Sequence, residues 1–111
     1  MKRIDLLKII ANGGATLDAS GAAVSFRRGY QVSKKDCFVL NVRNVNKILR
    51  AVRSVLASLT AGEYCGIWVD GGRVYVDISE RIPRKRDALK IGRERAQISV
   101  FDWRTGAAIY C

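Results

Sequence analysis

Two sets of basic side chains recur at the spacing that places them on one face of a helix. Arg43, Lys47 and Arg50 stand at i, i+4 and i+7, and Arg86, Lys90 and Arg93 repeat the interval. Arg53 extends the first set, and Arg84 and Lys85 precede the second. Between Arg81 and Arg95, seven basic residues are set against only Asp87 and Glu94. The planar fork of arginine grips two phosphate oxygens at once, so the chemistry on offer is recognition of phosphate or of an acidic groove. Either set alone reads as an ordinary solvated helix face. Both together, in a chain with 20 Lys and Arg against 10 Asp and Glu and a net charge of +10, favour a polyanionic partner. A second constellation is aromatic. Strand parity puts Tyr64, Trp68 and Tyr75 on one face of a hairpin, and Phe101 and Trp103 on one face of a later strand. Left open, such a face is a platform on which unpaired bases stack, with Trp68 and Tyr75 the stacking candidates. The competing expectation, favoured here because a small domain needs the burial, is that the N-terminal segment covers these rings as a second core layer.

Other chemistry is missing. The chain has no histidine, hence neither the commonest general base nor the commonest metal ligand. Its three cysteines, Cys37, Cys65 and Cys111, are widely spaced and include no C-x-x-C pair, so neither a zinc site nor a disulfide framework is expected. No phosphate-cradling glycine loop and no nucleophile elbow occurs. Asp70 and Asp77 share a hairpin face but sit at its opposite ends, which does not suit a divalent-metal site. The sequence therefore predicts a binding protein without catalytic residues, metal or cofactor.

The elements that position the basic and aromatic residues centre on a hairpin over 64–79, YCGIWVDGGRVYVDIS. Gly71-Gly72 accepts the positive φ angles of a two-residue turn. The register then pairs Val69 with Val74, Ile67 with Val76 and Cys65 with Ile78 on an aliphatic face. On the other face it pairs Asp70 with Arg73, Trp68 with Tyr75 and Gly66 with Asp77. A helix is predicted over 43–60, where Val45, Ile48, Leu49, Val52, Val55, Leu56 and Leu59 follow helical periodicity, with Asn41 or Asn44 as cap and Gly62 as stop. A second helix is expected over 84–96, after Pro83, with a thin apolar face of Ala88, Leu89, Ile91, Gly92 and Ala96; Gly92 implies close packing. A third covers 3–11, ended by Asn12-Gly13-Gly14. Short strands are expected at 15–18, 23–26, 30–33, 37–41, 98–103 and 107–111. The whole reads as one α+β domain, 1–111, whose largely antiparallel sheet carries its helices on the aliphatic face.

The odd, scattered cysteines imply a reducing, cytoplasmic compartment. The basic start MKRIDLLKII lacks the apolar core of a signal peptide, and no later stretch is long enough to span a bilayer. A symmetric dimer through the aromatic face or the terminal strand is compatible with the pattern.

The strings Gly66-Ile67-Trp68-Val69-Asp70-Gly71-Gly72, Val74-Tyr75-Val76-Asp77-Ile78-Ser79, Ala88-Leu89 with Ile91-Gly92-Arg93, and Gln97-Ile98-Ser99-Val100-Phe101-Asp102 cover about the last half of the chain. This half resembles small proteins carried by bacteriophages and conjugative elements, with a weaker echo in Gly29-Tyr30-Gln31-Val32-Ser33. Proteins from that setting include anti-CRISPR inhibitors, which disarm a host nuclease without being enzymes. The resemblance implies a partner such as a Cas nuclease or its guide RNA inside a bacterial host. It brings no catalytic residues. Many anti-CRISPR proteins are acidic DNA mimics, and the +10 charge departs from that pattern. The alternative is a general DNA- or RNA-binding accessory or regulatory protein of the element. A third expectation is a small structural or assembly protein.

Overall fold

Three successive helix–strand–strand units make up the chain in the computed structural model, which describes residues 1–111. They are α1 (Arg3–Ala11), β1 (Gly14–Leu17) and β2 (Tyr30–Asn41); α2 (Val45–Ser58), β3 (Glu63–Asp70) and β4 (Arg73–Ile82); and α3 (Lys85–Glu94), β5 (Ser99–Asp102) and β6 (Ala107–Tyr110). All strand pairs are antiparallel, in the order β1-β3-β4-β2-β5-β6. The fold is α+β, as the sequence predicts.

The β3–β4 hairpin lies between β1 and β2, so strands that are consecutive in sequence are separated in space. Gly71 and Gly72 take φ of +57° and +76°, the left-handed pair that a two-residue turn needs. The register is the expected one throughout: Asp70 opposite Arg73, Val69 opposite Val74, Trp68 opposite Tyr75, Ile67 opposite Val76, Gly66 opposite Asp77 and Cys65 opposite Ile78. Gly66 is required by space. A Cβ there would collide with Asp77 Oδ1.

The helices sit on the aliphatic face. The larger core gathers Leu6 of α1, Ile48, Leu49, Val52 and Val55 of α2, and Leu17, Cys65, Ile67, Val74 and Val76 of the sheet. Each buried aliphatic side chain of this size stabilises the fold by about 1.5–3 kcal/mol. A smaller core joins Val32, Ala88 and Val100 beneath α3. Gly92 does mark a close approach, since a Cβ there would stand 2.7 Å from Cys111 Sγ and 3.1 Å from Val100 Cγ1.

The structure corrects four boundaries. Residues 30–33 and 37–41 belong to one twelve-residue strand, β2. The polar Lys34-Lys35-Asp36 run is absorbed by register shifts at Ser33/Lys35 and Asp36/Phe38 instead of turning the chain. The expected strand at 23–26 is reduced to a single bridge between Leu17 and Ala23. Its neighbourhood is organised by Asp18, whose Oδ1 accepts from Ser20 N–H, Ser20 Oγ–H and Ala22 N–H. The helix over 43–60 runs only from Val45 to Ser58, because Leu59 is extended and the Thr60 amide and hydroxyl both bond Glu63 Oε1 at 2.8 Å. Asn44 does stand at its N-terminal cap, without a side-chain bond. The helix over 84–96 is Lys85–Glu94; Arg84 is its extended N-cap, and Ala96 has φ +55°, outside the helix. No helix is long and apolar enough to cross a membrane.

Candidate nucleic-acid interface

Helix α2 offers one face to the core and the other to solvent. Ile48, Leu49, Ala51, Val52 and Val55 are buried and Lys47, Arg50 and Arg53 are exposed; Arg43, expected on the same helical face, is exposed but precedes the N-cap Asn44 and lies outside the helix, its N–H donating to Asn41 Oδ1. At the N-terminal end of α2, Arg43, Lys47 and Arg50 line an open cavity of about 310 Å³ with Arg3, Asn44, Val45 and Asn46. Nothing in its spacing singles out Arg3. It lies in the first turn of α1, and the side-by-side packing of α1 and α2 brings its guanidinium to Asn46 Oδ1. The first turn of α2 holds no acidic residue, and its N-cap side chain makes no bond, so its leading amides add to the positive field. Arg53 points elsewhere: its Nε and Nη2 donate to the Met1 carbonyl at 3.2 and 2.9 Å, tying α2 to the chain start.

Four of the ten carboxylates are engaged elsewhere, and none comes within 4 Å of Arg3, Arg43, Lys47 or Arg50. Glu63 pairs with Lys34 at 2.8 Å, and Glu80 pairs with Arg95 at 3.1 Å and Lys34 at 3.7 Å. The Lys34 ammonium, together with the Thr60 amide and hydroxyl, holds the Glu63 carboxyl down to about 2. Asp18 and Asp102 accept from turn amides. Of the nine basic residues singled out from the sequence, only Arg86 meets a carboxylate within 4 Å. That partner is its neighbour Asp87, at 3.7 Å on a side chain 83% exposed, a contact of little energetic weight.

The second basic set is exposed along α3: Arg84, Lys85, Arg86, Lys90 and Arg93 all face solvent. Both helices lie on the same face of the sheet, α2 over the larger core and α3 over the smaller. They are parallel resources on one side of the molecule and do not close on a common cavity; the convergent cluster is that of α2 with Arg3.

The aromatic residues divide. Phe26, carried by the loop between β1 and β2, packs edge-on against Tyr64 at 5.6 Å and Trp103 at 5.3 Å, and the Arg81 guanidinium sits 5.2 Å from its ring centroid. Arg81 is held there by two bonds to the Arg28 carbonyl, at 2.9 and 2.7 Å. Trp103 Nε1–H donates to Gln31 Oε1 at 3.0 Å, and Gln31 Nε2–H donates to Ser79 Oγ at 2.9 Å. This end of the sheet is covered, as the burial argument expects, but by one loop phenylalanine and not by N-terminal strands. At the other end Trp68 is 51% exposed and lies nearly parallel to Tyr75, with centroids 4.8 Å apart and 25° between the planes. Trp68 is thus the open ring of the pair and Tyr75 is half-buried against it, on the sheet face opposite the helices and away from the basic cavity.

Between the two aromatic groups lies Asp77, whose Oδ1 is buried with no hydrogen-bond partner. Burial, reinforced by the charge of Asp36, pushes its carboxyl up to about 6. Burial also pushes the Cys65 thiol up to about 12, which makes it an inert core residue. No cluster of three or more His, Cys, Asp or Glu is placed to hold a metal ion. Comparison with protein-family models, with curated proteins and with solved structures finds no match.

Proposed function

We propose that the protein is a non-enzymatic binder of a phosphate-bearing partner, a nucleoprotein, and that it engages the phosphates at the N-terminal end of α2. The observation that carries this reading is the gathering of Arg3, Arg43, Lys47 and Arg50 around one open cavity with no carboxylate within 4 Å of them. Four cations kept unpaired in this way cost self-repulsion, which a polyanion relieves. The exposed Arg84, Lys85, Arg86, Lys90 and Arg93 extend the positive side of the molecule to a second strand or to an adjacent acidic protein surface. The likeness of the sequence to small phage and mobile-element proteins supplies the setting: inhibition of a host defence complex by engaging a Cas nuclease or its guide RNA. The alternative is a DNA- or RNA-binding accessory protein of the element. The exposed Trp68–Tyr75 stack favours single-stranded over duplex targets in that case.

Charge reversal tests the site. Arg43→Glu, Lys47→Glu and Arg50→Glu together abolish binding with circular dichroism unchanged, since these side chains are exposed. Arg86→Glu, Lys90→Glu and Arg93→Glu together weaken binding less. Full binding by the α2 triple variant overturns the assignment. Affinity for bare guide RNA or DNA equal to that for the assembled Cas complex selects the regulator; affinity for the complex alone selects the inhibitor.

A further inference from the structure

The sheet has an open internal edge. Strand β2 pairs with β4 along its whole length, but with β5 only at Tyr30 and Gln31. Beyond Gln31 no strand covers that side. The stretch around Lys34-Lys35-Asp36 is guarded by charge and by two register shifts, as natural edges are. The following stretch, Phe38 to Asn41, keeps a regular register and leaves Phe38 39% and Val39 52% exposed.

The backbone of this stretch is half unused. Val42 N–H donates to the Gly72 carbonyl at 2.9 Å. By the alternation of an antiparallel ladder, Leu40 and Phe38 spend their amides on β4, while the N–H and C=O of Val39 and the N–H of Asn41 point to the open edge. Alongside runs an apolar-floored trough of about 510 Å³, lined by Phe38 and Leu40 of β2 and by Lys47, Arg50, Ala51 and Ser54 of α2. Its wall is therefore cationic where its floor is apolar.

We infer that this edge docks an extended, acidic segment of a partner protein, which adds to β2 as a strand. Main-chain bonds to Val39 and Asn41 set the register, as in other strand-addition complexes. Side chains of the added strand alternate between the faces, so one apolar residue enters the trough and carboxylates two residues to either side reach Lys47 and Arg50. Charge selects this occupant over a second copy of the chain, because pairing two copies across Val39 brings together two cationic walls on molecules of net charge +10. The surface adjoins the phosphate site, shares Lys47 and Arg50 with it, and adds the open edge of β2 as a point of contact for the protein component of a nucleoprotein.

The test uses the full chain and the capped heptapeptide Thr-Glu-Thr-Val-Thr-Glu-Thr, read by fluorescence polarisation against the same peptide with Lys for Glu. The acidic peptide binds, and the lysine version binds at least about tenfold more weakly. Val39→Pro removes an outward amide at an edge position, where proline is tolerated, and lowers peptide affinity by about tenfold while RNA binding at the α2 cavity persists. Independently of any variant, hydrogen exchange on the native chain slows at Val39 and Asn41 when the acidic peptide is added. Equal affinity for the two peptides, no slowing at Val39, or a concentration-dependent dimer that protects Val39 and Asn41 without peptide overturns the inference. The α2 triple variant removes Lys47 and Arg50 and so weakens both ligands; Val39→Pro leaves those side chains in place and lowers peptide affinity alone, so the two readings fail separately.

Discussion

Asp77 and Gly66 form a tightly constrained pair across the β3–β4 hairpin. Gly66 leaves the space that the Asp77 carboxylate occupies. Gly66→Ala therefore destabilises the protein by about 1–3 kcal/mol, a cost of overpacking, in spite of the lower entropy loss of alanine. The double variant with Asp77→Ala recovers most of that loss, and a double-mutant cycle in urea measures the coupling. Independent, additive effects would show that the two residues do not compete for the same space. The buried carboxylate also sets a pH dependence. Its folded value, raised from 3.8 to about 6, means that the folded state binds the proton more tightly than the unfolded chain. Stability contributed by protonated Asp77 is complete below about pH 4 and is lost as pH rises through about 6, a span worth about 3 kcal/mol. Glu63 has the opposite sign: its lowered carboxyl contributes stability above about pH 4.5 that is lost as pH falls toward 2. Stability is thus greatest near pH 4.5, and Asp77→Asn flattens the limb between pH 4 and 7. A wild-type chain equally stable at pH 4.5 and 7 contradicts this.

At the level of elements, legibility in the sequence followed the local signal. The β3–β4 register could be read because alternation and the Gly71-Gly72 turn together specify one pairing. Helix α2 could be read because its apolar period is unbroken. The bulges in β2 could not, since Lys34-Lys35-Asp36 has the composition of a turn and only pairing with β4 keeps it extended. Nor could the role of Phe26, which depends on a loop crossing the face of a hairpin that comes later in the chain. The basic spacing on α2 was legible, but Arg3 joins it only through the packing of α1 on α2. Phe26 gives a prediction at this scale. Phe26→Ala lowers stability by about 1–2 kcal/mol, as expected for a half-buried ring that loses two edge-on partners. It also exposes Trp103 to a soluble fluorescence quencher that already reaches Trp68. Unchanged quenching would mean that the loop does not close this end of the sheet.

Across the whole molecule, charge and shape divide the work. One face of the sheet carries the helices, the convergent cations of α2 and Arg3, and the exposed basic ridge of α3. The other carries a half-buried aromatic cluster around Phe26 and the Trp68–Tyr75 stack, with Trp68 outermost. Internal ion pairs hold Glu63 and Glu80 on Lys34 and Arg95, which leaves the exposed cations of α2 and α3 without those partners. A polyanion bound there displaces its own counterions, so affinity carries a salt dependence that counts the contacts. The most direct measurement is the slope of log affinity against log salt for a single-stranded RNA, wild type against Arg43→Gln/Lys47→Gln/Arg50→Gln. A wild-type slope of about −3, from four cations on a single strand, that rises to within about one unit of zero in the triple variant is the expected result. Equal slopes for the two proteins would contradict the assignment of phosphate binding to the end of α2.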